Sequence, residues 1–531
     1  MLAPINKIPP EVLSLIPNFW ETDDRDQDVI TLTHVCRAWR EIFISRASLW
    51  ANFDCICVDK TRVYLERSKS SPINVSLANF VGLSPCDPFL QILPHAIGRL
   101  RSLSVYATFN SLQDITAHIS LPAPFLEDLK IDGHPTIYSQ PYNPVLASTL
   151  FNGDLSSLRV LCLRSVRTEL PWRNMVNLTT FTLVRTLPGE ISVGHFLDFF
   201  ESAPRLREVR LHAATPTFGA QNGRLASLVC LKRMNIIGGR PSLLLDHLLI
   251  PVGAELTIRT SLRSSLIEDH LPKSLDNLRN LSGFTRICLN TSRWLTPVEF
   301  SGPNGRVAIS SANYAQAVLE SLARFDTSKT ERLEIGGNVS FSRYTCYQTL
   351  LPMRGLRTLT LSHCQSSRGF IGALRRGVGS SGLVACPELE ELVLAFHIDE
   401  GIIKNGIDGP GIIKEVIGMA AARVLRGAKL KCVRIIDHDK DMQIDSFELE
   451  KHVLRVEYGP DVGGIGNEQG RRGEGGIGDR SLVGRFGSVL DLASQFRHSI
   501  IRATTLQTLG SSITSGHHNS YPSQCRLYVM F

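Results

Sequence analysis

No C-x-x-C pair occurs anywhere among the 12 cysteines of this chain; the closest two are Cys55 and Cys57. Scattered singly, they suggest neither a zinc module nor a disulfide scaffold, and they fit a reduced intracellular protein. No apolar run approaches the ~18 residues of a membrane-spanning helix, and PSLLLDHLLIPVG, from Pro241, is interrupted by Asp246 and His247. The opening MLAPINKIPPEVL lacks a basic segment followed by a long apolar core. That predicts no signal peptide, no membrane partner, and a cytoplasmic or nuclear location. There is no G-x-S-x-G elbow, no H-E-x-x-H and no Walker A loop, so nothing recommends an enzyme, a cofactor or a metal. Lys plus Arg number 57 against 50 Asp plus Glu, a net charge of +7 spread over 531 residues. So thin an excess, with no concentrated basic stripe, argues against a nucleic-acid partner.

What is present is ordinary globular composition, 43% hydrophobic and 20% charged, with apolar mass for a large core. The chain divides into three zones. In the first, residues 1–66, IPPEVLSLIP reads as a short helix, because prolines suit a first helical turn and Leu13 and Ile16 share a face. The polar loop ETDDRDQD follows. Val29, Leu32, Val35, Cys36, Trp39, Ile42 and Phe43 then recur at helical spacing, with a break near Cys36 left open.

The second zone, residues 67–458, repeats an L-x-x-L-x-L pattern with apolar substitutions. It appears as LRSLSV from Leu100, LEDLKI from Leu126, LRVLCL from Leu158, LTTFTL from Leu178, LREVRL from Leu206 and LKRMNI from Leu231. It continues as FTRICL from Phe284, TERLEI from Thr330, LRTLTL from Leu356, LEELVL from Leu389 and LKCVRI from Leu430. From Leu158 through Leu178 and Leu206 to Leu231 the starts lie 20, 28 and 25 residues apart. These gaps fall within the roughly 20–29 residues of leucine-rich repeats. Longer gaps have room for further strands, with AELTI before Arg259 and RVAIS from Arg306 as candidates. GHFLDFFESAPRL and SSANYAQAVLESLARF are candidate return helices. The fold expected is α/β: a small helical N-terminal domain, then an irregular solenoid with single-file parallel strands. A generic α/β domain with a parallel sheet is the alternative. The third zone, residues 459–531, opens with GPDVGGIGNEQGRRGEGGIGDR and reads as a Gly-rich linker and disordered tail.

Several motifs are decoys. GEGGIG, Gly473 to Gly478, satisfies G-x-G-x-x-G but lacks the strand and helix that a dinucleotide site needs. Asp24, Asp26 and Asp28 imitate a calcium loop, yet Val29 and Val35 stand where glycine and glutamate are required. Carboxylates capping a helix N-terminus explain them better. His517 and His518 have no partner at metal-ligand spacing.

IPPEVLSLI (Ile8 to Ile16), VCRAW (Val35 to Trp39) and SLW (Ser48 to Trp50) occur in the order and spacing of an F-box domain, which the stretch from Ile5 to Cys55 resembles. With the repeats, the whole chain is similar to a large fungal group of F-box proteins opening with a P-x-E-I/V-L segment. The resemblance implies a substrate-recognition subunit of a Skp–cullin–F-box ubiquitin ligase. The F-box would dock on the Skp-type adaptor, the repeats would bind a protein substrate, and the chain itself would do no chemistry. Pro9, Leu13, Ile16, Leu32, Val35 and Trp39 are the candidate adaptor contacts or their immediate support. Pro17 stands where the family commonly has a large apolar residue, and should end the first helix early. It keeps open the alternative of a non-ligase interaction scaffold with a degenerate F-box.

Residues between the leucines of such strands project to the wet side. Lys130, Arg164, Arg210, Arg233, Arg286, Arg332 and Arg434 all sit at odd offsets and should share one face. They are the candidate substrate face, a basic column for an acidic or phosphorylated segment. The competing expectation is an ordinary solvated face, because Asp128, Asp132, Glu208, Glu334 and Glu391 are interleaved there.

Overall fold

A computed structural model describes residues 9–13, 25–55, 58–78, 94–134, 145–146, 150–168, 174–185, 191–214, 216, 223–259, 270–291, 296–311, 315–322, 325–337, 341–362, 366–378, 383–396, 409–437 and 446–459. Ile16, Pro17, Asp24, GEGGIG and the histidines of the tail lie outside them. The described residues fall into two compact units that divide between Leu49 and Trp50.

The first unit holds three helices: α1 (Pro10–Leu13), α2 (Arg25–Thr33) and α3 (Arg37–Ser45). Proline opens α1, where the missing N–H costs nothing, and the Pro9 carbonyl accepts from the N–H groups of Val12 and Leu13. The apolar stripe from Val29 to Phe43 is not one helix. It breaks at Cys36, whose backbone is extended (φ −158°, ψ 173°). Two side chains occupy the carbonyls at the end of α2. The Thr33 hydroxyl donates to Ile30 O at 2.7 Å, and Arg40 Nε donates to Thr33 O at 3.0 Å. Beyond the break the stripe resumes, and Trp39 and Phe43 meet edge to face with centroids 5.6 Å apart.

The second unit is a mixed α/β structure built on one long, mostly parallel sheet of 17 strands. In chain order they are β1 (Asn52–Asp54), β2 (Ile73–Ala78), β3 (Leu100–Thr108), β4 (Asp128–His134), β5 (Val160–Arg164) and β6 (Thr180–Val184). Next come β7 (Glu208–His212), β8 (Arg233–Ile237), β9 (Glu255–Arg259), β10 (Arg286–Thr291), β11 (Thr296–Gly302) and β12 (Gly305–Ser311). The last are β13 (Arg332–Gly337), β14 (Thr358–Ser362), β15 (Glu391–Phe396), β16 (Cys432–Asp437) and β17 (Arg455–Gly459). Every L-x-x-L-x-L segment overlaps a strand, and so do AELTI and RVAIS. From β1 to β9, and again from β13 to β17, each strand pairs in parallel with the next one in sequence.

Between these runs the order reverses. β12, not β10, pairs with β9; β11 lies antiparallel to both β12 and β10; and β10 pairs with β13. The hairpin joining β11 to β12 turns through Gly302 and Gly305. Gly305 has φ +133°, and a Cβ there would stand 2.7 Å from Ala254 O. Asn280, buried at 2% exposure, donates to Ala254 O at 3.0 Å and Arg306 O at 3.3 Å, which ties the reversed segment to β9 and β12.

The register puts alternate residues in stacks. Leu161, Phe181, Val209, Met234 and Leu256 are successive neighbours, and all are buried. Helices between the strands supply further apolar side chains. α4 (Val58–Arg67) brings Tyr64 edge to face with Trp50, centroids 4.9 Å apart. α5 (Phe109–His118) follows β3, and α6 (Val193–Ser202) buries Phe196, Leu197, Phe199 and Phe200. The expected return helices are thus found at α6 and at α7 (Ala315–Ser321). Then α8 (Arg343–Leu350), α9 (Ser367–Arg375) and α10 (Gly409–Leu425) contact one another in turn. Gly369 permits the close approach of α9 to α8: a Cβ there would meet Cys346 Sγ at 2.8 Å.

Candidate interaction surfaces

The six candidate adaptor residues separate into interior and surface. Leu13 (3% exposed), Leu32 (1%) and Trp39 (3%) are core side chains. Pro9 is exposed, and Val35 is 44% exposed in the elbow between α2 and α3. Ile16 is outside the described residues. The elbow explains the split. An uninterrupted helix would carry Val35 on the same stripe as Leu32 and Trp39, whereas the break at Cys36 turns it outward.

In the sheet, all seven candidate substrate residues share the face opposite the leucines, as odd offsets require. They do not form one column. Arg233, Arg286 and Arg332 belong to one row of the register, Lys130, Arg210 and Arg434 to the next, and Arg164 to a third. Carboxylates neutralise nearly all of them. Lys130 pairs with Asp128 at 3.0 Å, Arg164 with Asp132 at 4.0 Å, and Glu208 takes both Arg233 at 2.6 Å and Arg210 at 3.6 Å. Arg286 pairs with Glu334 at 2.8 Å; Arg434 reaches Glu391 at 3.2 Å and Glu457 at 2.8 Å. Arg332 is exposed and has no carboxylate partner among the described residues. The expected basic column is therefore an alternating ladder of cations and anions.

These pairs move the proton affinities of their members. The hydrogen bond to Glu334 raises the Arg286 pKa, with burial opposing it, and the bond to Glu457 raises that of Arg434. The same bond holds the Glu457 carboxyl below its ordinary range. Cys162, Cys288 and Cys432 lie on this face too, and burial raises all three thiols, Cys288 to about 11. They are protonated at neutral pH and poor nucleophiles. Three buried polar atoms of the face, Asp128 Oδ1, Asn235 Oδ1 and Arg286 Nε, have no hydrogen-bond partner among the described residues.

Sequence reasoning missed the contribution of the reversed segment. Arg306 and Glu299 pair at 2.5 Å on this same face. RVAIS marked the strand that carries Arg306, but β11, which carries Glu299, has no L-x-x-L signature. Among the described residues no His, Cys, Asp and Glu group could hold a metal ion, and no helix is long and apolar enough to cross a membrane. No protein-family model matches the chain, and no curated protein matches it.

Proposed function

We propose that this chain is the substrate-recognition subunit of a Skp–cullin–F-box ubiquitin ligase, its helical unit an F-box and its sheet an irregular leucine-rich-repeat solenoid. The observation that carries the reading is the division of labour within the F-box-like motifs. Leu13, Leu32 and Trp39 are buried, and the helical unit that carries them is too small to bury every apolar group. Pro9 and Val35, from the same motifs, remain on the outside. Exposed apolar residues on so small a unit suit a partner surface. The sequential parallel pairing of β1 to β9 and of β13 to β17 supports the solenoid. The open face of paired, partly exposed charges supports the binding of a protein substrate through matched ion pairs rather than net charge.

The test is co-expression of the full chain with the host's Skp-type adaptor, followed by co-purification. Adaptor should co-purify with the natural chain. Val35→Asp should abolish its recovery while leaving the far-ultraviolet circular dichroism spectrum unchanged, because Val35 is on the surface. Leu13→Asp is unsuitable as the diagnostic, since it places a charge in the core. Failure of the natural chain to bring down adaptor would favour the scaffold alternative, for which Pro17 is the motivating residue.

A further inference from the structure

Residues at or just before the start of successive strands form a row of their own along one rim of the sheet. Backbone hydrogen bonds run from Glu127 N to Arg101 O, Arg159 N to Glu127 O, Thr179 N to Arg159 O, Arg207 N to Thr179 O and Lys232 N to Arg207 O. Arg101, Glu127, Arg159, Thr179, Arg207 and Lys232 are thus consecutive rungs, one per strand, spaced by ~4.8 Å. Their charge pattern differs from that of the open face. There, almost every cation has a carboxylate. Here Arg101 alone is paired, with Glu127 at 3.2 Å. Arg159, Arg207 and Lys232 are exposed and have no carboxylate partner among the described residues, and Arg205 beside them donates to the neutral Asn177 at 2.9 Å.

The turns that lead into this row expose apolar side chains: Phe125 is 63% exposed, Val176 48% and Val229 68%. At the Phe125 end a cavity of about 320 Å³ is lined by Pro72, Pro124, Phe125, Arg101, Arg159 and Asn177 among others. Unneutralised cations beside exposed apolar side chains and a pocket describe a surface with a missing partner.

We propose that this edge, from Phe125 to Lys232, binds an extended, carboxylate-rich peptide segment of a partner protein that carries one bulky apolar residue. The apolar residue enters the cavity beside Phe125, and the carboxylates meet Arg159, Arg207 and Lys232. Spacing and charge both fit. Arg159 and Arg207 are two rungs apart, ~10 Å, the span of three residues of extended chain. Guanidinium groups present donors that match carboxylates in pairs. Nucleic acid fits less well, because one aromatic ring makes no stacking series. The proposal does not depend on the ligase reading, because the edge is distinct from both the helical unit and the open face.

The experiment uses the full chain and a fluorescein-labelled synthetic peptide of sequence DEEFDDL in fluorescence anisotropy. Saturable, salt-sensitive binding is expected. The double variant R159E/R207E should weaken it at least tenfold, R159K/R207K should retain most of it, and R164E/R210E on the open face should leave it within twofold. F125A should weaken binding of DEEFDDL and leave that of DEEADDL unchanged. Thermal melts of each variant confirm the fold. The proposal is overturned if DEEFDDL does not bind at millimolar concentration, if R159E/R207E binds as the natural chain does, or if R164E/R210E abolishes binding. Preferential binding of a polyuridine dodecamer, lost in R159E/R207E, would overturn it in favour of nucleic acid.

Discussion

Arg423, at 0% exposure on α10, takes a cation into the interior, and its hydrogen-bond acceptors among the described residues are carbonyl oxygens. Nε donates to Ala428 O at 3.2 Å, Nη1 to Ala385 O at 2.8 Å and Nη2 to Cys386 O at 2.9 Å. One planar side chain thereby joins the end of α10 to the turn before β15. Burial pulls the guanidinium pKa down to about 10, still far above neutral, so the charge persists. Arg423→Leu removes the desolvation cost but strands three carbonyls. We expect a loss of ~3–5 kcal/mol, read as a lower urea midpoint by tryptophan fluorescence. The adjacent Cys386 makes a second residue-scale prediction. Burial pushes its thiol up to about 12, whereas Cys36 and Cys230 are exposed. Iodoacetamide at pH 8 should therefore alkylate Cys36 and Cys230 in the native chain and reach Cys386 only after denaturation, as peptide mass mapping would show; early alkylation of Cys386 would contradict the buried geometry. Neither feature was legible in the sequence. Arg423 looks like any helical arginine in GMAAARVL, and only the turn folded over it makes it interior.

At the scale of elements, legibility followed the range of the interactions. The strands at LRSLSV, LEDLKI and their successors were readable because alternation of leucine is a local property. β2, with INVSLA, lacks the leading leucine and gave no such sign. The order reversal at β10–β12 was invisible for a deeper reason: which strand lies beside β9 is a choice between distant partners. The glycines of the turn make that choice possible. Gly305→Ala forces a Cβ against Ala254 O with φ at +133°, and should cost roughly 2–3 kcal/mol or more. Gly253→Ala, at φ +86° with no atom within 4 Å of the added Cβ, should cost only ~1 kcal/mol. Equal thermal midpoints for the two variants would show that the close approach at Gly305 is unimportant. The same limit applied to the candidate sites. The basic residues were assigned to the right face by parity, and Lys130 and Arg210 pair within their own strands, but other partners sit across strands, as Glu334 does from Arg286, and appear only once the register is known.

Carboxylates held in surface turns and ion pairs set the acid response of the whole molecule. Asp154 and Asp326 accept from the hydroxyl and N–H of Ser156 and Ser328, and Glu390 and Glu457 accept from Lys431 and Arg434. All four carboxyls are held below their ordinary values of 3.8 and 4.5. A depressed folded pKa contributes stability that is complete above the unfolded value and lost as pH falls through the folded one. The urea midpoint should therefore hold steady down to about pH 5 and decline below pH 4, by a smaller amount in high salt because these groups face solvent. A midpoint unchanged at pH 3 would show that these four carboxyls add nothing to stability. Net charge was a poor guide to function, because an excess of +7 says nothing about where cations lack partners.

The reversed segment matters most while the chain is being made. A ribosome delivers β9 before β10, yet the edge of β9 must wait for β12, and β10 and β11 emerge first with no established strand to join. Until Gly305 and the residues after it have left the exit tunnel, the nascent sheet ends in an open edge on one side, and a detached pair of strands follows on the other. Synthesis that stalls between Arg259 and Gly305 would therefore leave a half-built sheet ready to capture another chain, and this is the interval in which a chaperone would have most to do.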